Sequence, residues 1–166
     1  MLDKRSEFYP DLNMKTLTRF AMFALVVSGV IYASNNTSPV GRWETIDDKT
    51  NEVSSVVTLW MDENGQLRGK VEKVIIKPGE DPNPVCSKCS GDKKNQPMTG
   101  LEILWGFKQA KKEDPSKWVS GKILDPDDGQ TYSCNLTVNG DGKSLQVRGY
   151  VGIPLLGRSQ TWVRIN

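Results

Sequence analysis

The chain has 166 residues, with 22 Lys and Arg against 20 Asp and Glu, a formal net charge of +2 and no histidine. Charge this balanced and interspersed argues against a nucleic-acid surface or a basic membrane stripe. The missing histidine excludes Ser-His and Cys-His catalysis and removes the commonest transition-metal ligand.

Residues 1–13 are a polar extension, and Met14 is an alternative start to Met1. Residues 14–33 read as a signal peptide: Lys15 and Arg19 supply a basic start, 20–32 carry no charge, and Ala33 precedes the polar Ser34-Asn35-Asn36. The uncharged run is shorter than the roughly 20 residues that span a bilayer, so cleavage is expected to leave no stable membrane anchor. Removing residues 1–33 takes away four basic and three acidic residues and leaves a chain of net charge near +1. Residues 34–166 are then one domain, long enough to bury a core.

Beyond residue 40 helical periodicity is almost absent. Eight runs rich in β-branched and aromatic residues stand at 41–47, 53–61, 66–76, 101–108, 117–125, 130–138, 143–151 and 158–165. Asp62-Glu63-Asn64-Gly65, Asp127-Asp128-Gly129 and Asn139-Gly140-Asp141-Gly142 place glycine where a tight hairpin needs positive φ. Alternation gives Tyr132, Cys134, Leu136 and Val138 a common face, and likewise Leu145, Val147, Gly149 and Val151, and Leu101, Ile103, Trp105 and Phe107. The run 108–117 reads as a solvated connection. Short sequential turns favour an all-β, eight-stranded up-and-down antiparallel barrel over a sandwich, because closure removes exposed edges.

Gly41-Arg42-Trp43 resembles the Gly-x-Trp start of the lipocalin and calycin barrels, which pair that Trp with a basic residue of the last strand. A meander brings Arg164 to that end, placed to stack on Trp43. A wider resemblance runs through Gly41-x-Trp43-x-Thr45-Ile46-Asp47, Gly65-x-Leu67-x-Gly69-Lys70 and Pro78-Gly79-Glu80-Asp81-Pro82-Asn83-Pro84-x-Cys86-x-x-Cys89. It continues through Gly121-Lys122-Ile123-Leu124-Asp125-Pro126, Leu145-x-Val147-Arg148-Gly149-Tyr150-x-Gly152 and Gly157-Arg158-x-x-Thr161-Trp162-x-Arg164. This order resembles the small exported bacterial proteins grouped as domain of unknown function 2147. The resemblance implies a lipocalin-like barrel in the periplasm and no agreed activity.

In such a meander the connections 48–52, 77–100, 126–129 and 152–157 share the end opposite Trp43 and Arg164, the open mouth of a lipocalin-like barrel. The segment 77–100 is long for a structureless loop and suggests a lid. Leu155 and Leu156 either pack beneath it or touch a ligand, packing being the ordinary outcome. Arg158 opens the last strand at the mouth, where it receives an acidic ligand or anchors a loop carboxylate. Arg148 alternates with apolar neighbours and is expected to point outward.

Export puts the three cysteines in an oxidising compartment. Cys86 and Cys89 are expected to form a local disulfide. A reduced or intermolecularly linked pair, a redox pair and a metal pair are the alternatives, the last two lacking a thioredoxin-like setting and further ligands. Cys134 reads as a buried free thiol. Asp125-Pro126-Asp127-Asp128-Gly129 reads as a turn, since it lacks the spacing of a calcium loop.

The preferred expectation is a non-catalytic barrel binding a small, partly apolar or amphipathic ligand. The candidate contacts are Trp105, Phe107, Tyr132, Leu136 and Val147 inside, with Leu155, Leu156 and Arg158 at the mouth. The alternative is a structural or partner-binding envelope protein whose barrel is solid. No catalytic constellation, cofactor, metal or nucleic acid is expected.

Overall fold

The computed structural model describes residues 36–47 and 50–165. The polar extension and the signal peptide expected over 1–33 lie outside the described residues.

Eight strands run in chain order: β1 (Gly41–Ile46), β2 (Val53–Met61), β3 (Leu67–Val74), β4 (Glu102–Lys111), β5 (Asp114–Asp125), β6 (Gln130–Val138), β7 (Ser144–Tyr150) and β8 (Arg158–Ile165). Each pairs antiparallel with the next, and β8 pairs back onto β1 through Arg42↔Ile165, Trp43↔Arg164 and Glu44↔Val163. The sheet is thus a closed up-and-down barrel, which satisfies every strand edge within one hydrogen-bonded cycle. The compact unit Ser34–Asn166 holds that whole cycle and its core, the properties of a unit that folds alone.

Alternation sends one side of each strand inward. Trp43, Val57, Leu59, Leu67, Leu104, Phe107, Leu136, Leu145 and Trp162 are almost wholly removed from water, and side chains fill the interior. Two glycines make room for them. A Cβ on Gly121 would stand 2.2 Å from the Phe107 ring, and one on Gly69 would stand 2.4 Å from the Leu59 side chain. Both therefore let large inner side chains lie against bare backbone.

Two expectations are corrected. Leu101, Ile103, Trp105 and Phe107 do not form one regular face. Gly106 adopts φ +77° and Ser120, on the facing strand, φ +61°, and the ladder from β3 to β4 shifts register nearby. This irregularity makes Leu104 and Phe107 the fully buried pair, while Trp105 pairs with exposed Lys122. Paired residues share a face, so Trp105 lies on the outer face of the sheet, half-buried and still packed against the core cluster. The run 108–117 is also no loose connection. β4 and β5 continue through it to a two-residue turn, with Lys111 opposite Asp114. Its charges hid this, since a hairpin projecting beyond its neighbours has no buried face to impose alternation.

At the closed end, Arg164 gathers the chain that precedes β1. Its guanidinium lies 4.1 Å from the Trp43 ring centroid. It donates to the carbonyls of Gly142 (2.6 Å), Val40 (3.0 Å), Ser38 (2.5 Å) and Asn36 (3.2 Å). Trp43 donates its indole N–H to the Pro39 carbonyl at 2.8 Å. One arginine thus ties the first strand, the last strand, the β6–β7 turn and the entering chain together.

Candidate functional site

The opposite end is the mouth, and its long loop is ordered by its own backbone. Within 77–100, Val85 bridges Pro97, the Cys86 amide donates to Gln96 O at 2.9 Å, and the Met98 amide donates to Pro84 O at 2.8 Å. The tip of this small hairpin is closed by a Cys86–Cys89 disulfide, with Cα atoms 5.4 Å apart. Both cysteines are buried and belong to the hydrophobic core. The disulfide therefore also serves as an apolar plug at the rim.

The lid is pinned at several places. Cys86 Sγ lies 3.8 Å from Pro126 O, and Lys88 Nζ donates to Asp127 O at 2.6 Å. Gly129, at φ +75°, lies so close beneath that a Cβ there would stand 2.0 Å from Lys88 O. The lid thus sits on the β5–β6 turn, backbone against backbone. At its start, Lys77 Nζ meets Glu52 Oε2 at 2.5 Å on the β1–β2 turn, a contact that raises the lysine pKa. Farther on, Lys93 Nζ donates to Glu102 O at 2.6 Å and stands 5.2 Å from the Trp105 ring centroid.

The β7–β8 connection is built differently. Val151, Ile153, Leu155 and Leu156 are 73, 56, 81 and 78% exposed. Leu155 and Leu156 therefore do not pack beneath the lid, contrary to the ordinary outcome for apolar residues in a turn. Arg148 points outward from β7 and holds the turn in shape. Its Nε donates to Pro154 O at 2.7 Å, Nη2 to Leu155 O at 3.1 Å, and Nη1 to Ser159 Oγ at 2.8 Å. The Leu156 and Gly157 amides close the 3-10 turn Pro154–Leu156 onto Ile153 O and Pro154 O. Arg158 is exposed directly after it.

The remaining candidates divide by depth. Phe107, Leu136 and Val147 are buried members of the core. Tyr132 is half-buried, and its hydroxyl donates to Asp128 Oδ2 at 2.6 Å, which raises the phenol pKa. Burial raises the Asp125 carboxyl pKa in the same turn. Cys134 is a free thiol inside the barrel, and burial pushes its pKa up to about 12. Among the described residues no group of three Cys, Asp or Glu side chains is arranged to hold a metal. Two shallow depressions lie outside the inner core. One is beside the β2–β3 turn, around Trp60 and Arg68, and one is under the lid, around Lys93 and Pro97.

Sequence reasoning missed the Arg148 clamp and the backbone docking of the lid. Arg148 alternates outward, but nothing in its spacing shows which carbonyls it reaches. Gly129 was legible as a turn residue, not as the seat of another loop.

A closed eight-stranded meander with a first-strand Trp under a last-strand Arg, and a long loop over the other end, is a lipocalin-like barrel. Its fold is similar to protein HP1028 from the human pathogen Helicobacter pylori, which is described as belonging to the lipocalin family. That likeness has a TM-score of 0.63 at 19% identity and covers 76% of this chain and 82% of the other. Residues 41–164 match the family described as "Uncharacterized protein conserved in bacteria (DUF2147)", and the chain belongs to that family. A comparison with curated proteins found no match.

Proposed function

We propose that this protein is a non-catalytic barrel of the periplasm that binds a partly apolar, amphipathic molecule at its mouth. The observation that carries the reading is the β7–β8 connection, where four large apolar side chains stand in water on a turn fixed by Arg148. Exposed apolar side chains in one cluster are the usual mark of a binding surface. The filled interior favours the rim over the deep barrel, so Phe107, Leu136 and Val147 belong to the packed core while Leu155, Leu156 and Arg158 meet the ligand. The basic run and uncharged core of residues 14–33 support export. The test is titration with dodecanoate below its micelle concentration, followed by tryptophan fluorescence and native mass spectrometry. A saturable one-to-one complex weakened by Leu155→Ser supports the reading, and no complex rejects it.

A second reading, a partner-binding envelope protein with a solid barrel, draws on the same filled interior. It expects a specific protein to be crosslinked through the mouth loops in envelope extract.

A further inference from the structure

The β7–β8 connection differs from an ordinary polar turn in three ways. Its four large apolar side chains, Val151, Ile153, Leu155 and Leu156, project outward into water. The carbonyls at its tip, from Ile153 to Leu155, already have partners. Pro154 has no N–H, the carbonyls of Pro154 and Leu155 accept from Arg148, and the carbonyls of Ile153 and Pro154 accept from the Leu156 and Gly157 amides. A loop entering an apolar medium needs this satisfaction, because each unpaired peptide group resists leaving water. Its own charge has one sign: residues 148–158 carry Arg148 and Arg158 and no Asp or Glu. Arg148 and Arg158 flank the tip, and half-buried Tyr150 stands at its base, a residue type enriched at membrane interfaces. In the neighbouring turn, Asp125 and Asp128 accept backbone amides, and Asp128 also accepts the Tyr132 hydroxyl.

We infer that this turn docks the barrel onto an anionic lipid bilayer, inserting Val151, Ile153, Leu155 and Leu156 among the acyl chains while Arg148 and Arg158 meet headgroup phosphates. The inference rests on the mouth-directed reading above and deepens it: the amphipathic molecule is a membrane lipid, met at the bilayer surface. Four apolar side chains supply the insertion, and two cations make it selective for negative surfaces.

The test is flotation of the chain Ser34–Asn166 with vesicles of equimolar phosphatidylglycerol and phosphatidylcholine, or of phosphatidylcholine alone. Its fold is verified by circular dichroism and thermal melting. The expected result is binding to the anionic vesicles that weakens as salt screens the charges. It falls about tenfold or more in Leu155→Ser/Leu156→Ser, whose exposed substitutions leave the melt unchanged. Arg158→Gln weakens binding to the anionic vesicles and not to the neutral ones. Anionic-vesicle binding unchanged in the double variant, or equal binding to both vesicles, overturns the inference. No vesicle binding with intact dodecanoate binding overturns the bilayer inference and leaves the mouth-directed reading standing; absence of both rejects the two together.

Discussion

Arg164 lies across Trp43, 4.1 Å from the ring centroid, and donates to four carbonyls of the chain around it. The indole below is fully buried and hydrogen-bonded in turn to Pro39 O. Burial lowers the Arg164 pKa, so the cation is held partly out of water by contacts that compensate its desolvation. Arg164→Ala would leave those carbonyls unpaired and remove the cation–π contact, a loss of about 2–4 kcal/mol. Arg164→Lys would recover only part of it, because an ammonium cannot reach several carbonyls in the plane of a fork. Urea midpoints that fall in the order wild type, Lys, Ala check this. Equal midpoints for Lys and wild type would argue against the fork.

Gly121 and Phe107 make a second matched pair. The ring occupies the space of the missing side chain, and a Cβ would stand 2.2 Å from it. Gly121→Ala therefore costs about 1–3 kcal/mol through overpacking. Phe107→Leu costs a comparable amount through the cavity it opens. Combined, they cost less than their sum, because the smaller side chain gives the new methyl room. A double-mutant cycle measures this, and additivity within about 0.5 kcal/mol would contradict the contact.

Much of this architecture was legible in sequence. Gly-ended turns and period-2 alternation located all eight strands, since both reflect local backbone requirements. The Trp43–Arg164 juxtaposition followed from meander topology, which brings the first strand beside the last. Besides the Arg148 clamp and the lid's seat on Gly129, three things were hidden. The bulge near Gly106 reversed the expected roles of Leu104 and Trp105, because alternation is readable only while the register is unbroken. The hairpin tip at Lys111 and Asp114 lacked a buried face to pattern it. The exposure of Leu155 and Leu156 is not a local property: composition marks them as apolar, and only the fold shows that nothing covers them.

Glu72 gives the surface an acid-sensitive contact. Hydrogen bonds from Arg42, 2.6 Å at the closest, and from the Thr58 hydroxyl, also 2.6 Å, lower its carboxyl pKa from 4.5 to about 2. A carboxyl with a depressed folded pKa contributes stability above its unfolded pKa and loses it as pH falls towards the folded value. The contribution is therefore full above pH 4.5 and disappears between there and about pH 2. The site is exposed, so the effect is modest and screened by salt. Comparing the pH dependence of unfolding for wild type and Glu72→Gln isolates it. Parallel curves between those limits would show that the pair contributes nothing.

Cys134 predicts a simple difference in reactivity. Alkylation needs the thiolate, and a buried thiol with pKa about 12 supplies almost none at pH 8. The native, non-reduced protein should take up no iodoacetamide, and the denatured protein one equivalent. Fast native labelling would mean that the barrel opens at that point.

The lid offers a test of local against global stability. The Cys86–Cys89 disulfide closes a ring of sequence separation 3. The chain-entropy relation gives about 2 kcal/mol for so short a loop, and that gain belongs to the segment it closes. The barrel's eight-strand cycle does not pass through the lid. Replacing the pair with Cys86→Ala/Cys89→Ala should therefore speed hydrogen exchange of the Cys86 and Met98 amides, which hold the lid hairpin, and leave β6 and β7 protected. Gly129→Ala should loosen the same amides with the disulfide intact. The new Cβ would meet Lys88 O at 2.0 Å on a backbone at φ +75°, so lid and turn must part. If exchange rises equally in β6 and β7 in either variant, the lid is part of the barrel's cooperative unit. If neither variant changes exchange in the lid, the close seat on Gly129 does not hold it.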